Sequence, residues 1–199
     1  MNETRVKYSG FISYSHSDRR MAERLHKRLE TFPIDSELRA VIGPAARETL
    51  FPVFLDRGDF DAGASLADAT RQALDQSETL IVLCSPAARR SAYVNEEIRL
   101  FRYHYPERPV IPLIVARRRG LGTADCPPDA LRFEIEPDGT VSGRANMPLA
   151  ADWRHGGDGP PLAFAKLLVR VLGIGTDGVS AACNGGKRNG GGRSALSPA

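Results

Sequence analysis

Short apolar runs alternate along the chain with stretches in which apolar positions recur every three or four residues. Val6 to Ser13 reads as a first strand, with Phe11 and Ile12 at its buried end. Ser17 is placed to cap a helix running to about Phe32, because Met21, Leu25, Leu29 and Phe32 share one face and Pro33 stops it. His26 falls on the outer, solvated side of that helix. A short helical turn is expected near Asp35 to Ile42. Leu50 to Leu55 is a second strand. Thr79 to Cys84 is a third, an unbroken apolar run suited to a strand covered on both faces. A helix from about Ser65 to Gln76 separates the two. Pro86 opens a short turn of helix, Ser91 caps a helix reaching about Tyr103, and Val110 to Val115 is a fourth strand with Pro112 against it.

Strands alternating with helices through short joins predict an α/β fold, an open parallel sheet with helices on both faces. Leu131, Phe133 and Ile135 alternate ahead of the turn signal Pro137-Asp138-Gly139, so a small hairpin-like excursion is expected there. Pro161 to Leu172 is a final helix. From residue 177 to 199 the chain is rich in Gly, Ser and Asn and cannot bury a core. The expected organisation is therefore one domain over residues 1–176 and a disordered tail over 177–199.

With 42% hydrophobic and 26% charged residues, the chain has the make-up of a soluble globular protein. The net charge of +3 is small, and the dense basic triplet Arg117-Arg118-Arg119 has no interleaved aromatic residues, which argues against nucleic acid as a partner. Three cysteines, Cys84, Cys126 and Cys183, show no framework spacing, and Cys84 reads as a small core residue. No run is long enough to span a bilayer and Met1 to Lys7 is polar. These features predict a cytoplasmic protein without a membrane partner. The four histidines have no metal-ligand spacing, so no metal is expected. There is neither a phosphate-cradling GxxxxGK[ST] nor a GxGxxG after the first strand, which excludes a conventional dinucleotide-cofactor domain.

What remains is a set of polar groups just beyond strand ends. In a 2-1-3-4-5 strand order the ligand crevice opens between the first and third strands. Tyr14 and Ser15 follow the first strand and Asp56 follows the second. The helix capped by Ser91 buries Val94, Ile98 and Phe101, and at about 100° per residue this puts Glu97 at the edge of that stripe and Glu96 in solvent. Tyr93 lies one turn before Glu97 on the same flank. A lone glutamate at a helix edge more often pairs with a nearby arginine, here Arg90 or Arg102, than performs chemistry. The convergence of the other groups on one sheet edge is what favours a site.

Four segments, in order, resemble the TIR (Toll/interleukin-1 receptor) domains of bacteria. Gly10-Phe11-Ile12-Ser13-Tyr14-Ser15 is similar to their first box, and Leu50 to Gly63 to the second strand and BB loop. Leu80 to Pro86, followed by Tyr93-Val94-Asn95-Glu96-Glu97-Ile98, is similar to the third strand and the helix bearing a glutamate. Asp152-Trp153-Arg154 to Gly173 resembles the end of bacterial members. The resemblance implies a flavodoxin-like sheet and, for many members, cleavage of NAD at the nicotinamide–ribose bond, with NAD as substrate and no cofactor. It places the catalytic role on Glu97 and substrate contacts on Tyr14, Ser15, Asp56 and Tyr93. It also implies homotypic TIR contacts through Arg57, Gly58, Asp59, Phe60, Asp61 and Gly63. Tyr93 stands where tryptophan is common, Ser15 where some active members carry arginine, and Gly58 where many have a larger residue. Other members are non-catalytic adaptors that work only through TIR–TIR assembly, and this is the alternative reading. An adaptor has no need of a carboxylate at Glu97.

Overall fold

The computed structural model describes residues 6–43, 52–55, 64–115 and 126–174. The loop expected over 56–63 and the tail expected over 177–199 lie outside the described residues. Strand β1 spans Gly10–Ser13, and a 3-10 turn over His16–Asp18 leads into helix α1, Arg19–Glu30. Helix α2 (Ser36–Ile42), strand β2 (Val53–Leu55), helix α3 (Ala64–Asp75) and strand β3 (Leu80–Cys84) follow. Next come α4 (Pro86–Arg90), α5 (Ala92–His104) and β4 (Val110–Ile114). The last described elements are α6 (Asp129–Arg132), β5 (Phe133–Ile135), β6 (Val141–Ala145), β7 (Ala151–Asp152) and α7 (Gly159–Val171).

Five strands form one parallel sheet in the order β2-β1-β3-β4-β7, the 2-1-3-4-5 arrangement of flavodoxin-like folds. Its two faces follow from the period-2 alternation of side chains. Ile12, Val53, Leu55, Ile81, Leu83, Ile111 and Leu113 face α1, α2 and α7. Phe11, Leu80, Val82, Cys84 and Ile114 face α3, α4, α5 and α6. Phe11 stacks on Phe54 with ring centroids 5.2 Å apart, which extends the second cluster toward the β2 edge. The expected burial of Phe11, Ile12, Val53, Ile81, Val82 and Leu83 is found. The fifth strand was not marked by any apolar run; only Leu113 and Ile114 of β4 pair with it.

Pro112 sits in β4 without loss of a ladder bond. Val115 N donates to Cys84 O at 3.1 Å, and alternate residues of a parallel strand address the same neighbour. The nitrogen of Pro112 therefore faces away from β3, at a level where β7 has not yet begun. The expected hairpin exists as an antiparallel pair, β5 with β6. Gly139 closes its turn at a φ of +82°, a conformation that side-chain-bearing residues rarely adopt. Arg99 Nη1 donates to Gly139 O at 2.8 Å, and Arg102 Nη1 donates to the carbonyls of Ala130 and Phe133 at 2.7 Å each, so the α6–β5–β6 segment is tied to α5.

Two local expectations are corrected. Ser17 does not cap α1; it lies within the 3-10 turn, and Asp18 holds the position before the helix without a side-chain cap bond. His26 is not solvated: its Nε2 lies 2.9 Å from Val53 O and 3.2 Å from Glu30 Oε1. Among the described residues no helix is long and apolar enough to cross a membrane.

Candidate functional site

The strand order reverses direction at β1. The chain passes from β1 to β2 on one side and returns to β3 on the other, so the crevice of the sheet lies beyond the carboxyl ends of β1 and β3. Three segments meet there: the turn after β1, the Ser85 turn after β3, and the first turns of α5. Ser85 Oγ accepts from Ala88 N at 3.0 Å and starts α4; Ser91 Oγ accepts from Val94 N at 3.3 Å and starts α5. Asn95 locks this second start. Its Nδ2 donates to Arg89 O and Ser91 O at 3.0 and 2.9 Å, and its Oδ1 accepts from Ala130 N at 3.1 Å. With Val94, Ile98 and Phe101 fully buried against the sheet, the rotation of α5 about its axis is fixed.

That rotation separates the two adjacent glutamates. Glu96 is exposed and takes a two-pronged bond from Arg99, with Nε to Oε2 and Nη2 to Oε1 both at 2.7 Å. The Arg99 guanidinium holds the Glu96 carboxyl below the usual carboxylate range. Glu97 is half-buried and reaches the sheet, where its Oε2 accepts a hydrogen bond from Ser13 Oγ at 2.5 Å. Arg102, one of the arginines considered as its partner, is engaged with α6 and β5 carbonyls instead. A carboxylate bonded to the last residue of β1, an interior strand at the switch point, is a group built into the strand-end crevice.

A second carboxylate is held at the same edge of the sheet. Ser85 Oγ donates to Asp18 Oδ2 at 2.5 Å, joining the turn after β1 to the end of β3. Burial pushes the Asp18 carboxyl above the ordinary aspartate value, with the Ser85 bond opposing that shift. Nothing in the sequence pairs residues 18 and 85. Since the folded chain favours the neutral acid, the stability linked to its proton is full below the unfolded value and is lost as pH rises through the folded one. Asp18→Asn carries the neutral form at every pH and its Oδ1 can still accept from Ser85. We expect this variant to melt about 1–3 °C above wild type at pH 7–8, with the gap closing below about pH 4, by circular dichroism. The effect is small because Asp18 keeps part of its solvent.

The other expected residues are distributed as follows. Tyr14 is half-buried and packs against the α1–α7 cluster, on the opposite face of the sheet from the α5 cluster. Ser15 is half-buried, its Oγ 3.4 Å from Ser17 Oγ. Tyr93 is 61% exposed on the first turn of α5, one turn before Glu97. Asp56 and the segment Arg57, Gly58, Asp59, Phe60, Asp61 and Gly63 lie outside the described residues. Cys84, adjacent to Ser85, is fully buried and burial pushes its thiol up, away from reactivity. Ser13 was not singled out as a functional residue, although a serine on the buried face of a strand, in phase with Phe11, carried that signal.

The class defined by the sheet order is a flavodoxin-like α/β domain with a carboxylate held at its switch point. The sequence profile described as the TIR domain matches residues 11–136, which run from Phe11 in β1 to just past β5 and include Ser13, Asp18, Ser85 and Glu97, and the chain belongs to the TIR domain family. A protein of Actinoplanes sp. named NAD(+) hydrolase ApTIR is 30% identical over 112 residues. The matched stretch covers 56% of this chain and 14% of that relative, so the chain spans a small part of the relative's length.

Proposed function

We propose that the chain is an NAD glycohydrolase, active when TIR domains assemble, that releases nicotinamide and a linear or cyclic ADP-ribose in signalling or defence. The observation that carries this reading is the Glu97 carboxylate, held at the crevice by Ser13 and not left on an open helix surface. The name of the Actinoplanes relative supports the same substrate.

The chemistry suits a single carboxylate. Nicotinamide linked to ribose is a pyridinium. When the C–N bond breaks, the bonding pair stays on the ring nitrogen and nicotinamide departs neutral without a general acid, unlike the leaving group of an ordinary glycoside. The ribose is left with oxocarbenium character, and a preorganised anion in a water-poor crevice stabilises it. Water then adds to the anomeric carbon and loses a proton, giving linear ADP-ribose. Glu97 is assigned the anion, and Tyr14, Ser15, Asp56 and Tyr93 the walls around NAD. The segment 57–63 is assigned the contacts to a neighbouring TIR domain. NAD enters as substrate, and the reading assigns no cofactor.

The test is nicotinamide release from NAD across a range of protein concentrations, with and without a crowding agent. The expected result is turnover that rises more steeply than protein concentration. Assembly without any nicotinamide release would leave the adaptor role in its place.

A further inference from the structure

We propose that Ser13 is the positioning residue for Glu97: its hydroxyl holds one carboxylate oxygen and so helps to fix the direction of the carboxylate. The inference rests on the assignment of Glu97 as the reacting carboxylate. Ser13 is 0% exposed and ends strand β1, which is paired on both sides by β2 and β3, with Val82 of β3 as its register partner, so its backbone is held in place. It shares a sheet face with Phe11, the face covered by α5, and this directs its side chain toward the helix that carries Glu97. The hydroxyl donates to Glu97 Oε2 at 2.5 Å, the short separation typical of a hydroxyl bonded to an ionised carboxylate.

A glutamate on a helix edge has three side-chain torsions to order. One charge-assisted bond from a rigid strand removes most of that freedom before substrate arrives. Partners of this kind act through the group they orient, and their loss typically lowers activity by about 10–100-fold. The strand itself has little need of a serine here, because Phe11, Ile12, Ile81 and Val82 around it are apolar and fully buried. A purely structural role would have been served by alanine or valine, which leave no buried hydroxyl to satisfy.

The experiment compares wild type, Ser13→Ala, Ser13→Thr and Glu97→Ala in the full chain with NAD as substrate. We expect Ser13→Ala to lose about 10–100-fold in kcat with KM within about twofold, and Ser13→Thr, which keeps the hydroxyl, to recover most of it. Melting temperatures of the serine variants should stay close to wild type. Crystal structures supply a readout independent of turnover, with Glu97 in one rotamer in wild type and Ser13→Thr and in several in Ser13→Ala. An unchanged or raised kcat in Ser13→Ala, or a Glu97 rotamer that does not respond, overturns the proposal. If wild type and Glu97→Ala are equally inert, it is the glycohydrolase reading that has failed, and the rotamer comparison alone then decides Ser13.

Discussion

Glu97→Ala is expected to remove nicotinamide release while leaving the fold in place. The loss should be about 100-fold or more, since the substitution takes away the one preorganised charge aimed at the developing ribosyl cation. Glu97→Gln should be nearly as inactive. It matches the glutamate in size and offers Ser13 a carbonyl oxygen, but it carries no charge. Glu96→Ala is the control. It removes the same charge one residue away, from an exposed side chain paired with Arg99, and should retain full turnover. Neither alanine variant empties the core, so both should unfold within about 1 kcal/mol of wild type. The measurement is nicotinamide release at matched concentration with circular dichroism alongside. Equal turnover by Glu97→Ala and Glu96→Ala would reject Glu97 as the catalytic group.

Phe101→Ala should produce the largest loss of stability, about 3–5 kcal/mol in urea unfolding. Phe101 is 0% exposed, lies one helical turn beyond Glu97 and packs with Tyr105 at a centroid separation of 5.8 Å. It belongs to the cluster that clamps α5 to Phe11, Leu80 and Val82 of the sheet. Truncation leaves a cavity between helix and sheet that close-packed neighbours fill only in part. Against a total of about 5–15 kcal/mol for a domain, that is a large share of the margin. Because the same cluster sets the rotation of α5, turnover should fall together with stability. A variant that unfolds at the wild-type urea concentration would mean that α5 is held mainly by its hydrogen bonds through Asn95, Arg99 and Arg102.

The strands were legible because each is a short apolar run whose alternate residues fill two clusters, as Leu80 to Cys84 shows. Helix α5 was legible because Ser91, Val94, Ile98 and Phe101 combine a cap with a stripe, and the stripe separates Glu96 from Glu97. The fifth strand was not, because two residues, Ala151 and Asp152, carry no period. The start of the first helix was misread for a different reason. Local spacing points to Ser17 as the cap, whereas Asp18 holds that position and is bonded to Ser85, a contact that no local pattern encodes. His26 was misread because its helix face was judged without β2, whose Val53 carbonyl meets the ring. The Ser13–Glu97 pair sits between these cases. Each residue alone is placed by periodicity, and their meeting depends on which sheet face α5 covers.

Pro112 has a consequence for self-association. Among the described residues β4 has no strand partner ahead of Leu113 on the side away from β3, so the first half of β4 is a sheet edge on that side. An unguarded edge of Val110, Ile111 and their neighbours would offer a template for a foreign strand, the usual route to aggregation. A proline whose nitrogen faces outward at that level has no hydrogen to give, and an incoming strand would leave a carbonyl unbonded. In a protein proposed to work by gathering many copies of itself, this residue restricts the ways in which copies can join. It disfavours fibrous growth along β4 while leaving ordered domain-to-domain contacts open.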